Sequence, residues 1–298
     1  MSTETDNARQ AAKIVTAHRQ REGGGFIVRR PFPGAEMDSV DPFLLLDEMG
    51  PVDYAPGEAV GAPDHPHRGF ETVTYVLEGE MEHEDSAGHR GRLGPGDVQW
   101  MTAGAGIVHS EMPSQRIREQ GGRVHGFQIW VNLPKQDKMA RPRYQEYASG
   151  ELPVAKSADG KAEVRIIAGE ALGARAVIET HTPIVLQDWT LRPGADVLVE
   201  VPADLAALVY VFEGSARTGA KGAEIGEGQM AVLGPGTSVR LGGATGPGRL
   251  LLLAGAPIRE PVARYGPFVM NTRSELLQAF EDFQSGKMGE ITRAAQVR

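Results

Sequence analysis

The segment YVLEGEMEHEDSAGHRGRLGPGD, residues 75–97, has a second copy, YVFEGSARTGAKGAEIGEGQ, at residues 210–229. The two Tyr-Val-x-Glu-Gly blocks stand 135 positions apart, and a three-residue deletion then aligns Gly94 and Gly96 with Gly226 and Gly228. Two copies of one unit, separated by about half of a 298-residue chain, indicate a duplicated protein with two domains.

Short runs of β-branched and apolar residues surround both copies. Gly-Pro-Gly turns at 94–96 and 234–236 suit hairpin ends, because proline presets φ and glycine tolerates positive φ. Many short strands joined by such turns predict an all-β protein of sandwich or barrel type. The predicted strand cores are Val73–Leu77, Val98–Met101, Phe127–Asn132, Glu163–Ile167, Ala206–Phe212, Met230–Leu233 and Arg249–Leu253.

One short helix is predicted near the C-terminus, over residues 273–285. Thr272 and Glu275 have the spacing of a capping box, apolar residues follow along one face, and Gly286 supplies the stop. We expect that face to pack on one of the barrels. The predicted division of the chain is an N-terminal extension (1–22), a first domain (23–134), a charged and proline-rich linker (135–153), a second domain (154–265) and a C-terminal helix with its tail (266–298).

The composition is that of a globular chain, with 41% hydrophobic and 23% charged residues, and it contains no cysteine. Any metal must therefore be bound by His, Asp or Glu. The net charge of −8 argues against direct nucleic-acid binding, which depends on neutralising phosphates. The polar N-terminus is not typical of a secretory signal, and no apolar stretch approaches the ~20 residues of a membrane span, so we expect a cytoplasmic protein without a membrane segment.

Two pairs of potential metal ligands lie in the first repeat. His65 and His67 stand at i and i+2, which places both side chains on one face of a strand, about 6.6 Å apart. His109 and Glu111 have the same spacing. Three imidazoles and a carboxylate would leave up to two positions open on a six-coordinate ion, and this donor set suits Fe(II), Mn, Co, Ni or Cu. Pro66 implies an edge strand or a strand start, since it has no N–H to donate.

The second repeat acts as an internal control for these ligands. The positions equivalent to His65 and His67 are Glu200 and Pro202, and those equivalent to the second pair fall near Leu241 and Gly243. The fold itself therefore does not require the histidines. Among the remaining histidines of the first repeat, we expect His83 and His89 to be solvated loop residues, whereas His125 begins a strand and is a candidate for the second coordination shell or a substrate pocket.

Several blocks resemble the pirin family of bicupins. They are DPFLLLDEMGP (41–51), DHPHRGFETVTYVLEG (64–79), GDVQWMTAGAGIVHSEMP (96–113), FQIWVNLP (127–134) and GPFVMNT (266–272). The resemblance implies two tandem cupin β-barrels, a metal in the N-terminal one only, and a C-terminal helix packed back toward that barrel. It also implies that His65, His67, His109 and Glu111 are the metal ligands, with iron as the usual metal and Mn, Co, Ni, Cu or Zn as alternatives.

The general cupin pattern differs in one position, because it places the acidic ligand after the His-x-His pair on the same strand. That pattern would nominate Glu71. Since the pirin arrangement supplies the acid with the second pair, we expect Glu111 to be the ligand. Glu71 then becomes a candidate for the second coordination shell.

Members of the pirin family are similar to quercetin 2,3-dioxygenases. The resemblance implies that a flavonol and O₂ react at the metal, that Glu111 removes the proton of the flavonol 3-hydroxyl, and that carbon monoxide and a depside are released. Candidate cavity residues are Trp100, Met101, Phe127, Ile129 and Trp130. The alternative is a regulatory protein without turnover, which would dock on a protein partner in a metal-dependent manner. Sugar isomerisation at a cupin site is a weaker third possibility.

Overall fold

The structure is a computed structural model that describes residues 7–293, and in it the chain forms two compact units. The first-repeat unit comprises Arg19–Val28, Leu45–Ser149 and the described part of Ile258–Arg298. The second-repeat unit comprises the described part of Met1–His18, Arg29–Leu44 and Gly150–Pro257. Each unit is therefore discontinuous in sequence, although each is built around one of the two repeats.

Strands dominate the chain and are numbered from its N-terminus. The strands before the second repeat are β1 (Ala11–Thr16), β2 (His18–Glu22), β3 (Phe26–Phe32), β4 (Phe43–Tyr54), β5 (Ala62–His67), β6 (Phe70–Glu78), β7 (Met81–Asp85), β8 (Arg90–Leu93), β9 (Val98–Thr102), β10 (Ile107–Pro113), β11 (Gly122–Asn132) and β12 (Arg143–Tyr147). The remaining strands are β13 (Val154–Lys156), β14 (Ala162–Ala168), β15 (Glu170–Ala171), β16 (Ala174–Arg175), β17 (Ile184–Leu191), β18 (Asp196–Glu200), β19 (Ala206–Thr218), β20 (Ala223–Gly226), β21 (Gln229–Leu233), β22 (Ser238–Gly255), β23 (Ala263–Tyr265) and β24 (Phe268–Met270).

The second-repeat unit contains a nine-stranded sheet in the order β1-β21-β19-β22-β17-β14-β13, with β18 paired to β22 and β20 paired to β19. Its buried core is almost entirely aliphatic, with Trp189 as the one large aromatic side chain in the main cluster. Strand β1, from the segment predicted as an N-terminal extension, pairs antiparallel with β21. The burial of so much apolar surface stabilises this unit without any polar cluster of metal-ligand type among its described residues.

Most of two sheets lies in the first-repeat unit. The seven-stranded sheet has the order β12-β9-β6-β11-β4-β3-β2, and the four-stranded sheet has the order β5-β10-β7-β8. Strand β12 lies within the segment predicted as a linker and pairs antiparallel with β9. All seven predicted strand cores lie inside observed strands, so the predicted all-β fold is confirmed.

Two α-helices are present in residues 7–293, α1 (Gln115–Gln120) and α2 (Arg273–Gln284), together with a short 3-10 helix at Ser149–Glu151. The predicted C-terminal helix is confirmed as α2. Its N-terminus has both hydrogen bonds of the capping box, from the Glu275 N–H to the Thr272 side chain and from the Thr272 N–H back to the Glu275 side chain. Helix α2 belongs to the first-repeat unit, where its apolar face packs with Phe268, Met270 and Val108. No helix within the described residues is long and apolar enough to cross a bilayer.

Candidate metal centre

Three imidazole rings converge between β5 and β10. These strands pair antiparallel with His65 directly opposite His109 and His67 opposite Ile107, so all three histidines lie on one face. The ring centroids are 4.7 Å apart for His65 and His67, 4.4 Å for His65 and His109, and 5.0 Å for His67 and His109. One ligand nitrogen from each ring lies within 4.8 Å of the others. This is the convergence that metal–nitrogen bonds of about 2.1 Å require.

The local sequence explains why the chain can place the histidines here. Strand β5 lies at the edge of its sheet. Pro66, which has no N–H, can therefore stand in this strand without breaking a hydrogen bond to a neighbouring strand. Two residues after His67, Gly69 adopts φ +86°, and the chain turns from β5 in one sheet to β6 in the other. Because of this turn, the alternation of side chains along β5 does not extend to Glu71, and Glu71 does not share the face of His67.

The carboxylate of Glu111 lies beside the imidazoles. Its Oε2 is 3.9 Å from His109 Nε2, and its Oε1 accepts a hydrogen bond of 2.8 Å from the Thr74 hydroxyl. A register shift between His109 and Glu111 interrupts the pairing of β10 with β5. Thr74 also lies 2.9 Å from the side-chain amide of Gln128. One carboxylate oxygen is therefore held by Thr74, while the other faces the histidines.

The hydrogen bonds of the rings determine which nitrogen each histidine can offer. His65 Nδ1 lies 2.7 Å from the Pro63 carbonyl, and His67 Nδ1 lies 3.4 Å from the Pro267 carbonyl. Because a carbonyl only accepts, each Nδ1 carries the hydrogen, and each Nε2 keeps a lone pair for a ligand bond. In His109, both ring nitrogens are buried without a hydrogen-bond partner. Buried polar atoms are rarely left without a partner, and a bound metal ion would pair with one of these two nitrogens.

Electrostatics also favour neutral, ligand-competent rings. Burial holds the pKa of His67 and of His109 well below the ordinary value of 6.5, and the neighbouring imidazoles lower both further. Neutral imidazole is the form that binds a metal ion. The donor set of three imidazoles and one carboxylate therefore fits a divalent transition metal.

The candidate pocket residues divide between the two faces of the seven-stranded sheet. Thr74 faces the histidines, and strand alternation places Met101, the partner of Thr72, on that same face. Trp130 is also there, with its ring centroid 5.2 Å from that of His67. Trp130 is therefore the candidate that contacts a histidine, and Met101 shares its sheet face.

The remaining candidates lie elsewhere. On strands β6, β9 and β11, the alternate positions lie on the sheet face that points away from the histidines. These positions hold Glu71, Trp100, Phe127 and Ile129. Glu71 accepts a hydrogen bond of 2.7 Å from the Thr102 hydroxyl on that opposite face. His125 is buried, and its Nε2 lies 2.8 Å from a carboxylate oxygen of the buried Glu48.

Sequence reasoning missed a second polar cluster. The expectation that His83 and His89 are solvated loop residues is wrong for His83, which is 4% exposed on strand β7. His83, His89 and Glu146 bring one ligand atom each to within 4.8 Å of one another. The alternation of the stretch MEHED (81–85) is the available signal, because it gives His83 and Asp85 the same inward parity. Nothing local, however, associates that stretch with Glu146.

The second-repeat unit offers no comparable site among the described residues, since both clusters of ligand side chains lie in the first-repeat unit. Glu200 ends β18 opposite Ser238, and Leu241 is fully buried in the aliphatic core. The two repeats share a fold but differ in the side chains at the positions that hold the histidines in the first.

Comparison with known proteins agrees with this architecture. A sequence profile described as Pirin matches residues 25–131, and one described as Pirin C-terminal cupin domain matches residues 186–289. A pirin-like protein of Solanum lycopersicum is 45% identical over 291 residues, covering 97% of this chain and 96% of the relative. Human pirin is 44% identical over 288 residues, covering 95% of each chain.

Solved structures show the same relationship. A crystal structure of quercetin 2,3-dioxygenase from Acinetobacter baumannii superposes with a TM-score of 0.89 at 37% identity, covering 95% of this chain and 99% of that one. A second quercetin 2,3-dioxygenase structure from the same organism gives a TM-score of 0.85 at 27% identity, covering 96% of this chain and 93% of that one. The profiles match more than half of the chain and the relatives extend over nearly all of it; the chain belongs to the pirin family and consists of two cupin domains.

Proposed function

We propose that this protein is an Fe(II)-dependent oxygenase that opens the ring of a flavonol with O₂, in the manner of quercetin 2,3-dioxygenase. The observation that carries the proposal is the convergence of His65, His67 and His109 with the carboxylate of Glu111 beside them. The similarity to the quercetin 2,3-dioxygenase of A. baumannii supports the choice of substrate class. In the proposed reaction both atoms of O₂ enter the products, and one ring carbon leaves as carbon monoxide.

The metal would be held by the Nε2 atoms of His65 and His67, by a ring nitrogen of His109 and by Glu111. Mixed nitrogen and oxygen donors with open positions are typical of oxygen-activating Fe(II) sites. When bound, the ion would supply Lewis acidity at the substrate oxygen and one-electron chemistry toward O₂.

Glu111 is the proposed general base for the 3-hydroxyl of the flavonol. Thr74 donates to Oε1, which leaves Oε2, the oxygen nearer to the histidines, to accept the substrate proton. Thr74 therefore orients the base, and the Pro63 and Pro267 carbonyls orient the rings of His65 and His67. Trp130, which lies beside His67, and Met101 on the same sheet face would exclude water from one side of the site.

The test uses purified full-length protein, depleted of metal and reloaded with Fe(II), with quercetin and oxygen supplied. Loss of flavonol absorbance and release of carbon monoxide measure turnover. His109→Ala should abolish turnover, and His18→Ala, at an exposed histidine outside both clusters, should leave it unchanged. Absence of turnover with Fe, Mn, Co, Ni and Cu and with several flavonols would contradict the proposal and favour a regulatory protein that acts through a protein partner.

Thr74→Val tests the role assigned to Glu111. The valine has nearly the same shape but cannot donate to the carboxylate. Since loss of a group that orients a ligand typically costs about 10–100-fold, we expect kcat for quercetin to fall by that range while the iron content is retained. An unchanged kcat would show that Thr74 does not orient the base.

A further inference from the structure

A second cluster in the first-repeat unit shares no residue with the proposed oxygenase site. We propose that His83, His89 and Glu146 form a second metal site, selective for a divalent transition metal of the Zn(II), Co(II) or Ni(II) type. Two imidazoles and one carboxylate are a ligand set that such ions accept, with the remaining positions left to water.

The spacing of the ligand atoms suits a single ion. Glu146 Oε1 lies 2.6 Å from His83 Nε2 and 3.1 Å from His89 Nε2. Bonds of about 2.1 Å at tetrahedral or octahedral angles place neighbouring ligand atoms about 2.9–3.4 Å apart. The His89–Glu146 distance lies within that range and the His83–Glu146 distance lies just below it.

His83 provides the second observation that points to a ligand. It is 4% exposed, its Nδ1 is buried without a hydrogen-bond partner, and its Nε2 faces the Glu146 carboxylate 2.6 Å away. An ion placed between His83 Nε2 and the Glu146 carboxylate would be bound by both side chains. Gly91, opposite His83, leaves room for the ring, since a Cβ there would lie 2.1 Å from His83 Nε2.

The neighbouring residues hold the three ligands in place. The Tyr144 ring stacks against both imidazoles, with centroid distances of 5.8 Å to His83 and 4.6 Å to His89. The Gln99 amide donates to Glu146 Oε1 at 2.5 Å across the β9–β12 pair. Asp85 Oδ1 accepts the N–H groups of Ala87 and His89, which fixes the turn that presents His89. Such supporting contacts are what orients metal ligands in proteins.

The cluster is reachable by an ion from solvent. The side chain of His89 is 40% exposed and that of Glu146 is 28% exposed, while His83 closes the inner side. It stands next to the first site, because His83 is the cross-strand partner of Glu111 in the β7–β10 pair. Since the two ligand sets have no member in common, their occupancies can be measured separately.

The experiment counts bound metal and needs no substrate, so its outcome does not depend on the proposed oxygenase activity. Full-length protein is stripped with a chelator, titrated with Zn(II) by calorimetry, and assayed for bound zinc after gel filtration. We expect two zinc ions per chain for the unaltered protein. We expect one for His89→Ala, one for Glu146→Gln and one for His109→Ala, and two for the control His18→Ala.

Two results would overturn the proposal. One is a single zinc ion per chain in the unaltered protein. The other is two ions in both His89→Ala and Glu146→Gln, which would place the second ion elsewhere. Because Glu146→Gln preserves shape and hydrogen-bonding capacity, it remains informative if His89→Ala fails to fold. Anomalous scattering at the zinc edge in a crystal then locates the ion, and density between His83 and Glu146 is the expected result.

Discussion

Gly69 controls the direction in which the chain leaves the metal-bearing strand. Its φ of +86° is a conformation that side chains rarely adopt, and a Cβ at this position would lie 1.9 Å from the Val269 carbonyl oxygen. The Gly69 N–H donates to the Gly104 carbonyl, so two turns of the unit meet at this residue. Both the backbone conformation and the close packing thus require glycine two residues after His67.

The first prediction compares two glycines with nearly equal φ. Gly57 has φ +84° but open space within 4 Å of the point where a Cβ would stand, so Gly57→Ala carries only the cost of the backbone conformation, about 1 kcal/mol. Gly69→Ala adds a clash with backbone, and we expect it to lower the free energy of unfolding by about 1–3 kcal/mol more. Urea denaturation of both variants measures the difference. Equal losses would show that the close approach to Val269 is not maintained.

At the scale of elements, helix α2 is joined to the turn that follows His67 by a buried ion pair. Arg68 Nη1 donates to Asp282 Oδ2 at 2.8 Å, and Arg68 Nε donates to the Ala105 carbonyl at 2.6 Å. Hydrogen bonds from Lys287, Arg68 and Gln278 hold the pKa of the Asp282 carboxyl well below its usual range. The ionised carboxylate therefore connects the C-terminal helix to the residue next to a proposed metal ligand.

The second prediction concerns Asp282→Asn. Loss of the negative charge leaves the buried guanidinium of Arg68 without its counter-ion, which weakens the attachment of α2. We expect faster hydrogen–deuterium exchange across Arg273–Gln284 than in the unaltered protein. Glu281→Gln removes the same charge from an exposed position one residue away and is the matched control. Equal exchange rates in the two variants would contradict the proposed role of the ion pair.

At the scale of the molecule, the first-repeat unit is held together by a buried lysine between segments that are far apart in sequence. Lys138 Nζ donates to the Gly69 carbonyl at 2.8 Å, to Asn132 Oδ1 at 2.8 Å and to the Val269 carbonyl at 3.1 Å. Burial lowers the pKa of this amine from its ordinary value of 10.5 to about 8. Its charge is therefore coupled to the stability of the unit.

The third prediction is a pH dependence with a definite sign. Below pH 8 the amine is protonated in both folded and unfolded chains, so stability does not change with pH through this group. Between about pH 8 and 10.5 the unfolded chain binds more protons, and the free energy of unfolding rises with pH by at most about 1.4 kcal/mol per unit. Lys138→Met should lose this rise, whereas Lys135→Met, at an exposed lysine, should keep it. Urea denaturation from pH 7 to 10.5 measures both slopes, and identical slopes in the two variants would refute the coupling.

Much of the architecture was predictable because it depends on local chemistry. The repeated Tyr-Val-x-Glu-Gly block indicates a duplicated β-fold, and the Thr272–Glu275 spacing predicts the start of α2. The i, i+2 spacing of His65 and His67 puts both rings on one face because side chains alternate along any strand. The inferences about α2 and about the two histidines rest on backbone geometry within a few residues, which is the same in every protein.

Other features of the candidate site depend on which strands become neighbours. Glu146 lies in a stretch predicted as a linker, yet pairing of β12 with β9 brings it to His83 and His89. Because the chain turns at Gly69, Glu71 does not share the strand face of His67 as the spacing alone suggested. The Pro267 carbonyl, which lies 200 positions further along the chain, contacts the His67 ring. Contacts of this kind depend on packing and sheet register between distant segments. The free energies of such long-range contacts cannot be inferred from a local sequence pattern. The types and spacing of residues along the chain therefore identified the candidate ligands. Long-range strand pairing determined which other polar residues lie beside them.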